Sequence, residues 1–125
     1  MSGNRILVVD DEELVLESLR MTLAYYGYTV ETASGGSEAL LQLEHAESEF
    51  GMVVTDRKMP KMTGDQLAAR IKQQWPHLPV IMVTGYPPDC KPPGVDVVLL
   101  KPFSTAGLRA TVEALMNRRA APKTG

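Results

Sequence analysis

Several features that would place a sequence in a particular class are scarce or missing here. One cysteine, Cys90, occurs in 125 residues, which excludes a disulfide framework and a cysteine-based zinc site. No apolar run approaches the ~18 residues that a membrane span requires, and the N-terminus lacks a signal-peptide pattern. Positive charge is not in excess, since 13 basic residues face 15 acidic ones. We therefore expect a cytoplasmic protein with no membrane contact and no direct nucleic-acid contact.

The length and balance of the chain predict one globular domain. A single core typically carries ~100–150 residues, and the chain is 44% hydrophobic and 22% charged, as folded proteins are. The helical pattern is lost near the C-terminus. We therefore expect a domain over residues 1–119 and a disordered tail or linker remnant over residues 120–125.

Short apolar runs alternate with helical patterns along the chain. Runs rich in β-branched residues are typical of buried parallel strands, and the weaker alternation of the second run indicates an edge strand. This order predicts an α/β fold, a doubly wound five-stranded parallel sheet with helices on both faces. The predicted strands are Ile6–Val9, Tyr28–Ala33, Met52–Val54, Val80–Val83 and Val95–Leu100.

Prolines are concentrated between the fourth and fifth predicted strands. Four of the nine, Pro87, Pro88, Pro92 and Pro93, fall within seven residues. A parallel crossover usually contains a helix, but proline disrupts a helix interior. We therefore expect residues 85–94 to be irregular or to hold at most one helical turn.

Polar side chains follow four of the predicted strands at their carboxyl ends, where open parallel sheets bind ligands. They are Asp10 and Asp11, then Asp56, Thr84 and Lys101. Three carboxylates would raise each other's pKa unless a cation were present. Oxygen ligands without His or Cys suit Mg²⁺, while a lysine and a hydroxyl suit an anion beside it. Together these residues predict phosphoryl chemistry on a carboxylate.

Each feature also has a purely structural explanation. An Asp pair after a strand can cap the next helix, Asp56 can be a turn residue, and Thr84 can simply end a strand. The functional interpretation is favoured because all of these residues fall at one end of the predicted sheet.

Four motifs resemble those of the receiver domain of bacterial two-component response regulators. They are ILVVDDE from residue 6, DRKMPKMTG from residue 56, VTG from residue 83 and LKPF from residue 100. The resemblance extends over residues 5–118. It implies a flavodoxin-like receiver fold with strand order 2-1-3-4-5, in which the proline cluster leaves the fourth helix shortened or absent.

The resemblance also implies a phosphoacceptor. In this family Asp56 would accept a phosphoryl group from a sensor histidine kinase or a histidine phosphotransfer protein, as a step in phosphorelay signalling. Asp11, the Asp56 carboxylate and the Lys58 backbone carbonyl would bind Mg²⁺, with Asp10 contributing through water. The chain would catalyse its own phosphorylation and dephosphorylation without being an enzyme for other substrates.

The other residues of the motifs would respond to the phosphoryl group. The resemblance implies that Thr84 contacts a phosphoryl oxygen and acts as the switch, and that Lys101 forms an ion pair with the group. It also implies a cis peptide bond between Lys101 and Pro102.

The sequence departs from the family on the side that usually carries the output. The family places an aromatic reporter on the fifth strand, three residues before the lysine, where this chain has Val98. The helix before that strand is the one that the prolines disrupt. We therefore expect an atypical readout through the fourth crossover and the fifth strand. Tyr86 either replaces the reporter or has an ordinary packing or exposed role.

The first helix carries apolar residues opposite its core stripe. Leu14 and Met21 lie there with Ser18 between them, and family members dock the partner's phosphorylated helix on this element. Scattered apolar surface residues are also normal. We favour Leu14, Ser18 and Met21 as part of a docking patch.

Other classes share parts of this pattern. A flavodoxin-like cofactor binder needs a Ser/Thr/Gly-rich phosphate loop where this chain has Asp10-Asp-Glu-Glu. An aspartyl-phosphate phosphatase needs a second Asp two residues after a nucleophile on the first strand, and Asp10-Asp11-Glu12 lacks this spacing. The remaining alternative is a pseudo-receiver that binds proteins without being phosphorylated. The presence of Asp56, Thr84 and Lys101 counts against it. We expect the chain to be either a stand-alone regulator or the receiver of a hybrid kinase or of a longer regulator.

Overall fold

The computed structural model describes residues 4–46, 50–86 and 88–120. Its five strands form one all-parallel sheet in the order β2-β1-β3-β4-β5, which confirms the predicted fold and the predicted edge position of the second strand. The strands are β1 (Arg5–Val9), β2 (Thr29–Ala33), β3 (Phe50–Asp56), β4 (Val80–Thr84) and β5 (Val97–Leu100).

Four helices in the described part of the chain cover the two faces of the sheet. They are α1 (Glu13–Tyr25), α2 (Gly36–Ala46), α3 (Gly64–Gln74) and α4 (Thr105–Ala120). The apolar stripe of α1 packs with that of α4 in one buried cluster, and the stripes of α2 and α3 pack in a second cluster on the opposite face. The five strands therefore lie between two apolar layers and hold their carboxyl ends at one edge.

The crossover between β4 and β5 has no helical residue at positions 85, 86 and 88–96, so the predicted loss of the fourth helix is confirmed there. Pro87 lies outside the described residues. Instead, the crossover packs on α3, where Gly94 has a φ of 87° and a Cβ at this position would lie 2.5 Å from the Ala68 carbonyl oxygen. Val95, predicted to be in the strand, precedes it and is buried in the core.

The last helix begins as its sequence indicates and ends later than expected. Ser104 caps it, since the Ser104 Oγ accepts a hydrogen bond from the Gly107 N–H at 2.9 Å. The helix continues to Ala120, and residues 121–125 lie outside the described residues. The division of the chain at residue 119 stays a prediction. Within the described part of the chain, no helix has the length and apolar character needed to cross a membrane.

Candidate functional site

The residues predicted to carry chemistry meet at the carboxyl edge of the sheet. Asp56 is the last residue of β3 and Thr84 the last of β4, while Asp10 directly follows β1 and Lys101 directly follows β5. Because β1, β3, β4 and β5 are consecutive neighbours in a parallel sheet, their ends lie side by side. The backbone N–H of Lys101 donates to the Thr84 carbonyl at 2.8 Å, which fixes the lysine beside β4.

Three carboxylates form the centre of the site. Asp10, Asp11 and Asp56 each offer an oxygen, and these oxygens all lie within 4.8 Å of one another. Asp10 and Asp56 are buried whereas Asp11 is exposed. Such a group of oxygens, with one side open to solvent, has the chemistry of a site for a hard divalent cation.

The two oxygens of Asp10 have different surroundings. Oδ1 accepts a hydrogen bond from the Glu12 N–H at 2.9 Å at the start of α1. Oδ2 is buried and has no hydrogen-bond partner among the described residues. Burial raises the pKa of Asp10 to about 6, and the nearby Asp56 carboxylate adds to the rise, while the Glu12 N–H opposes it. An unpaired buried carboxylate oxygen is costly unless a cation or proton satisfies it.

Asp56 is held by its neighbours on both sides. Its Oδ1 accepts a hydrogen bond from the Arg57 N–H at 2.8 Å and lies 3.6 Å from the Lys101 Nζ. Its carbonyl accepts from the buried Thr55 hydroxyl at 2.9 Å. The carboxylate therefore has a fixed direction and one cation beside it.

Thr84 is buried at the end of β4, the strand that pairs with β3. Its Oγ1 accepts a hydrogen bond from the Tyr86 N–H at 3.3 Å, which leaves its hydroxyl hydrogen to be donated elsewhere. The Tyr86 ring is 71% exposed and lies 5.1 Å from the Lys58 Nζ. This cation–π contact links the loop after β3, which contains Lys58, to the crossover after β4, which contains Tyr86.

The connection from β3 to α3 has features that sequence reasoning missed. Thr63 and Gln66 form a reciprocal capping box at the start of α3, which the Thr-x-x-Gln spacing before an apolar run could have indicated. Arg57 and Asp65 form an ion pair with two hydrogen bonds, at 3.0 and 3.2 Å. No periodic pattern joins these two positions, so their contact has no signal in the sequence.

The predicted docking residues lie on the exposed side of α1. Leu14 is 86% and Met21 59% exposed, and Ser18 is exposed between them. A groove of about 480 Å³ runs between α1 and the turn after β5, and both Leu14 and Ser18 line it together with Lys101. The groove therefore connects the predicted docking patch with the acceptor site.

The remaining candidates are separate from the site. Val98 is half-buried and packs against the α2–α3 cluster. His45, His77 and Cys90 are exposed. The peptide bond between Lys101 and its proline is cis, as the resemblance implied.

Comparison with known protein families decides the class of this fold and site. The profile of the family described as the response regulator receiver domain matches residues 6–113. The chain belongs to this receiver domain family.

Among curated proteins, this receiver domain is similar to response regulators. It is 35% identical over 121 residues to the alkaline phosphatase synthesis transcriptional regulatory protein PhoP of Bacillus subtilis, covering 93% of this chain and 50% of PhoP. It is 36% identical over 126 residues to the response regulator MprA of a Mycobacterium species, covering 97% of this chain and 54% of MprA. The chain thus spans about half the length of these curated relatives.

Solved structures of receiver domains superpose on nearly the whole chain. A CheY-like receiver domain protein from Methanospirillum hungatei has a TM-score of 0.86 at 30% identity, covering 93% of this chain and 95% of that one. The response regulator TrrA from Thermotoga maritima, in complex with Mg²⁺ and BeF, has a TM-score of 0.81 at 31% identity, covering 90% and 98%. The receiver fold is therefore shared over at least 90% of this chain.

Proposed function

We propose that this receiver domain accepts a phosphoryl group on Asp56, in a Mg²⁺-dependent reaction, from a histidine kinase or a histidine phosphotransfer protein. The observation that carries the proposal is the convergence of a fixed, buried carboxylate, a lysine ammonium and a buried hydroxyl on one edge of the sheet. The neighbouring carboxylates of Asp10 and Asp11 complete the set, and Asp10 Oδ2 is buried without a hydrogen-bond partner in the part of the chain that the structure describes.

The chain's own residues account for the transfer. A carboxylate oxygen of Asp56 attacks phosphorus while the bond from phosphorus to the donor's imidazole nitrogen breaks, and the bonding electron pair returns to the imidazole. The Lys101 ammonium neutralises charge on the phosphoryl oxygens. The Thr84 hydroxyl donates a hydrogen bond to one of them, which biases the switch. Later attack of water on phosphorus releases phosphate and restores the Asp56 carboxylate.

The oxygen ligands offered by these residues fit a magnesium ion. Asp11, the Asp56 carboxylate and the Lys58 carbonyl would hold it, with Asp10 contributing through water, and Asp10 Oδ2 is the buried oxygen that lacks a protein partner among the described residues. A bound Mg²⁺ supplies positive charge for the phosphoryl oxygens. The Thermotoga relative was solved in complex with Mg²⁺ and BeF, which supports a magnesium site in this chain by similarity.

We assign docking of the phosphodonor protein to the α1 surface. Leu14, Ser18 and Met21 present apolar and small side chains to solvent, and Lys101 is among the residues that line the adjoining groove. A helix that binds there would bring its histidine to the acceptor, because Lys101 lies 3.6 Å from Asp56.

We assign the readout to the crossover after β4. The usual output helix is not formed at the described positions 85, 86 and 88–96, and Val98 stands where the family has its aromatic reporter. Tyr86 is linked to Thr84 by its N–H and is largely exposed. Movement of Thr84 toward a phosphoryl group would therefore be transmitted to this ring.

Intact-mass measurement after incubation with acetyl phosphate tests the proposed function. With Mg²⁺, the wild-type chain is expected to gain the mass of one phosphoryl group, and chelation of the metal should abolish the gain. Asp56→Asn should gain nothing, whereas Asp89→Asn, which changes an exposed aspartate of the crossover, should match the wild type. Absence of a mass gain in the wild type would favour the phosphorylation-independent binding module instead.

A further inference from the structure

The loop between β3 and α3, residues 57–63, is closed at its base by an ion pair. The Arg57 Nε donates to the Asp65 Oδ1 at 3.0 Å and the Arg57 Nη2 donates to Oδ2 at 3.2 Å. Both side chains are partly buried. Two parallel hydrogen bonds define the orientation of the guanidinium more strictly than a single contact does. The pair therefore fixes Arg57 relative to the first turn of α3.

The backbone of Arg57 connects this ion pair to the acceptor. Its N–H donates to Asp56 Oδ1 at 2.8 Å, and its carbonyl accepts from the Gly64 N–H at 2.8 Å. Arg57 also directly precedes Lys58, whose carbonyl the proposed function assigns to Mg²⁺. Arg57, whose side chain is anchored by Asp65, therefore contacts Asp56 Oδ1 and directly precedes the residue that provides the Lys58 carbonyl.

We propose that Arg57 and Asp65 are positioning residues for the acceptor site. Their ion pair holds the Arg57 backbone so that Asp56 Oδ1 and the Lys58 carbonyl keep the geometry required for Mg²⁺ and phosphoryl transfer. This inference rests on the proposed function. Residues that orient metal ligands commonly change metal affinity by about 10–100-fold when they are removed.

The direction in which Arg57→Ala changes the Mg²⁺ affinity distinguishes a positioning role from a purely electrostatic one. If only charge mattered, Arg57→Ala would strengthen Mg²⁺ binding, because it removes a positive charge from the residue that directly follows Asp56. Positioning predicts instead that Arg57→Ala weakens Mg²⁺ binding by about tenfold. Arg57→Lys keeps the charge but loses the two-pronged contact, and it should also weaken binding several-fold.

The double variant tests whether the two residues act as one unit. Removing both side chains, Arg57→Ala with Asp65→Ala, leaves the local net charge unchanged. If they act only through their contact, the double variant should bind Mg²⁺ about as weakly as Arg57→Ala alone. Losses that multiply would mean that the two residues act separately.

The experiment is a Mg²⁺ titration of the full chain, followed by backbone amide chemical shifts, for the wild type and these variants. Arg109→Ala is the matched control, because it breaks a similar ion pair with Glu113 at 3.0 Å on α4 and should leave Mg²⁺ affinity unchanged. Thermal unfolding in chelator is recorded alongside. Should Arg57→Ala fail to fold, the conservative Arg57→Lys variant carries the test.

Two results would overturn the inference: Mg²⁺ binding by Arg57→Ala as tight as or tighter than in the wild type, or wild-type affinity in Arg57→Lys. Phosphorylation by acetyl phosphate is measured in parallel to separate the two proposals. A wild type that neither binds Mg²⁺ nor gains a phosphoryl group contradicts the proposed function itself. A wild type that does both, with Arg57 variants equal to it, contradicts only the positioning role.

Discussion

The two carboxylate oxygens of Asp10 have different surroundings in the structure. Sequence reasoning weighed helix capping against ligand binding for the Asp pair after β1. In the structure, Oδ1 of Asp10 satisfies a backbone N–H at the start of α1, while Oδ2 is buried without a partner among the described residues. Glu12 is the N-cap residue of α1 and no side chain caps this helix end, so the Asp pair does not cap α1, and the second Asp10 oxygen has an energetic cost when no cation is bound.

This cost leads to a pH-dependent prediction for Asp10→Asn in chelator. Burial raises the folded pKa of Asp10 from 3.8 to about 6. The folded wild type therefore binds more protons than the unfolded chain between these values, and its stability falls as the pH rises through them. Asparagine does not titrate. Relative to the wild type, the variant should gain about 1–3 kcal/mol at neutral pH and almost nothing near about pH 4.

Urea denaturation at the two pH values measures this difference. Titration of all other groups is common to both proteins, so it cancels in the comparison. An equal change at both pH values, or a loss of stability at neutral pH, would contradict the account of Asp10.

Gly64 is required by the close approach of two backbones. A Cβ at this position would lie 2.2 Å from the Asp56 carbonyl oxygen and 2.9 Å from the Arg57 Cα. Gly64→Ala should therefore lower the free energy of unfolding by about 1–3 kcal/mol, because backbone must move. Gly35→Ala is the control, since no heavy atom lies within 4 Å of its Cβ position, and it should change stability by less than about 0.5 kcal/mol. Equal effects in urea unfolding would refute the steric argument.

Among the helices and connections, the β4–β5 crossover was predictable only in part. The proline cluster correctly indicated that no regular helix forms at the described positions. The way the crossover packs was not predictable, because it depends on a tertiary contact between Gly94 and the Ala68 carbonyl. The apolar pattern also predicted Val95 as a strand residue, because an apolar residue buried in a loop gives the same sequence signal as one buried in a strand.

The α1 surface carries a prediction about the partner. Leu14→Ser with Met21→Ser should slow phosphoryl transfer from a histidine phosphotransfer protein by at least about fivefold, as expected for loss of central apolar contacts. Transfer from acetyl phosphate should be unchanged, because the small donor needs no docking surface. Leu41→Ser, at an exposed apolar position of α2, is the matched control. Equal slowing with both donors would exclude a docking role.

The crossover carries a prediction about the readout. Binding of beryllofluoride with Mg²⁺ should change the amide hydrogen exchange of residues 85–98, and Tyr86→Ala should reduce that change. Any movement of Thr84 must alter the hydrogen bond that its Oγ1 accepts from the Tyr86 N–H. Tyr86→Ala keeps this N–H but removes the ring and its contact with Lys58, so less of the movement should reach the crossover. Unchanged exchange across this segment would mean that the output lies elsewhere on the domain.

Over the complete domain, most of the fold and the core of the site could be predicted from the sequence. Alternation of apolar runs and helical patterns indicates a parallel sheet, and such a sheet necessarily brings Asp56, Thr84 and Lys101 to one edge. The strand order came from the resemblance rather than from periodicity. The Arg57–Asp65 contact was not predictable, because it depends on how a short loop folds back on itself.

The most direct measurement locates the phosphoryl group on the chain. After reaction with acetyl phosphate and Mg²⁺, borohydride reduces an aspartyl phosphate to homoserine, and peptide mass spectrometry then identifies the modified position. We expect homoserine at position 56 alone, and none when Mg²⁺ is chelated. Modification at Asp10 or Asp11, or no modification at position 56, would contradict the assignment of Asp56 as the phosphoacceptor.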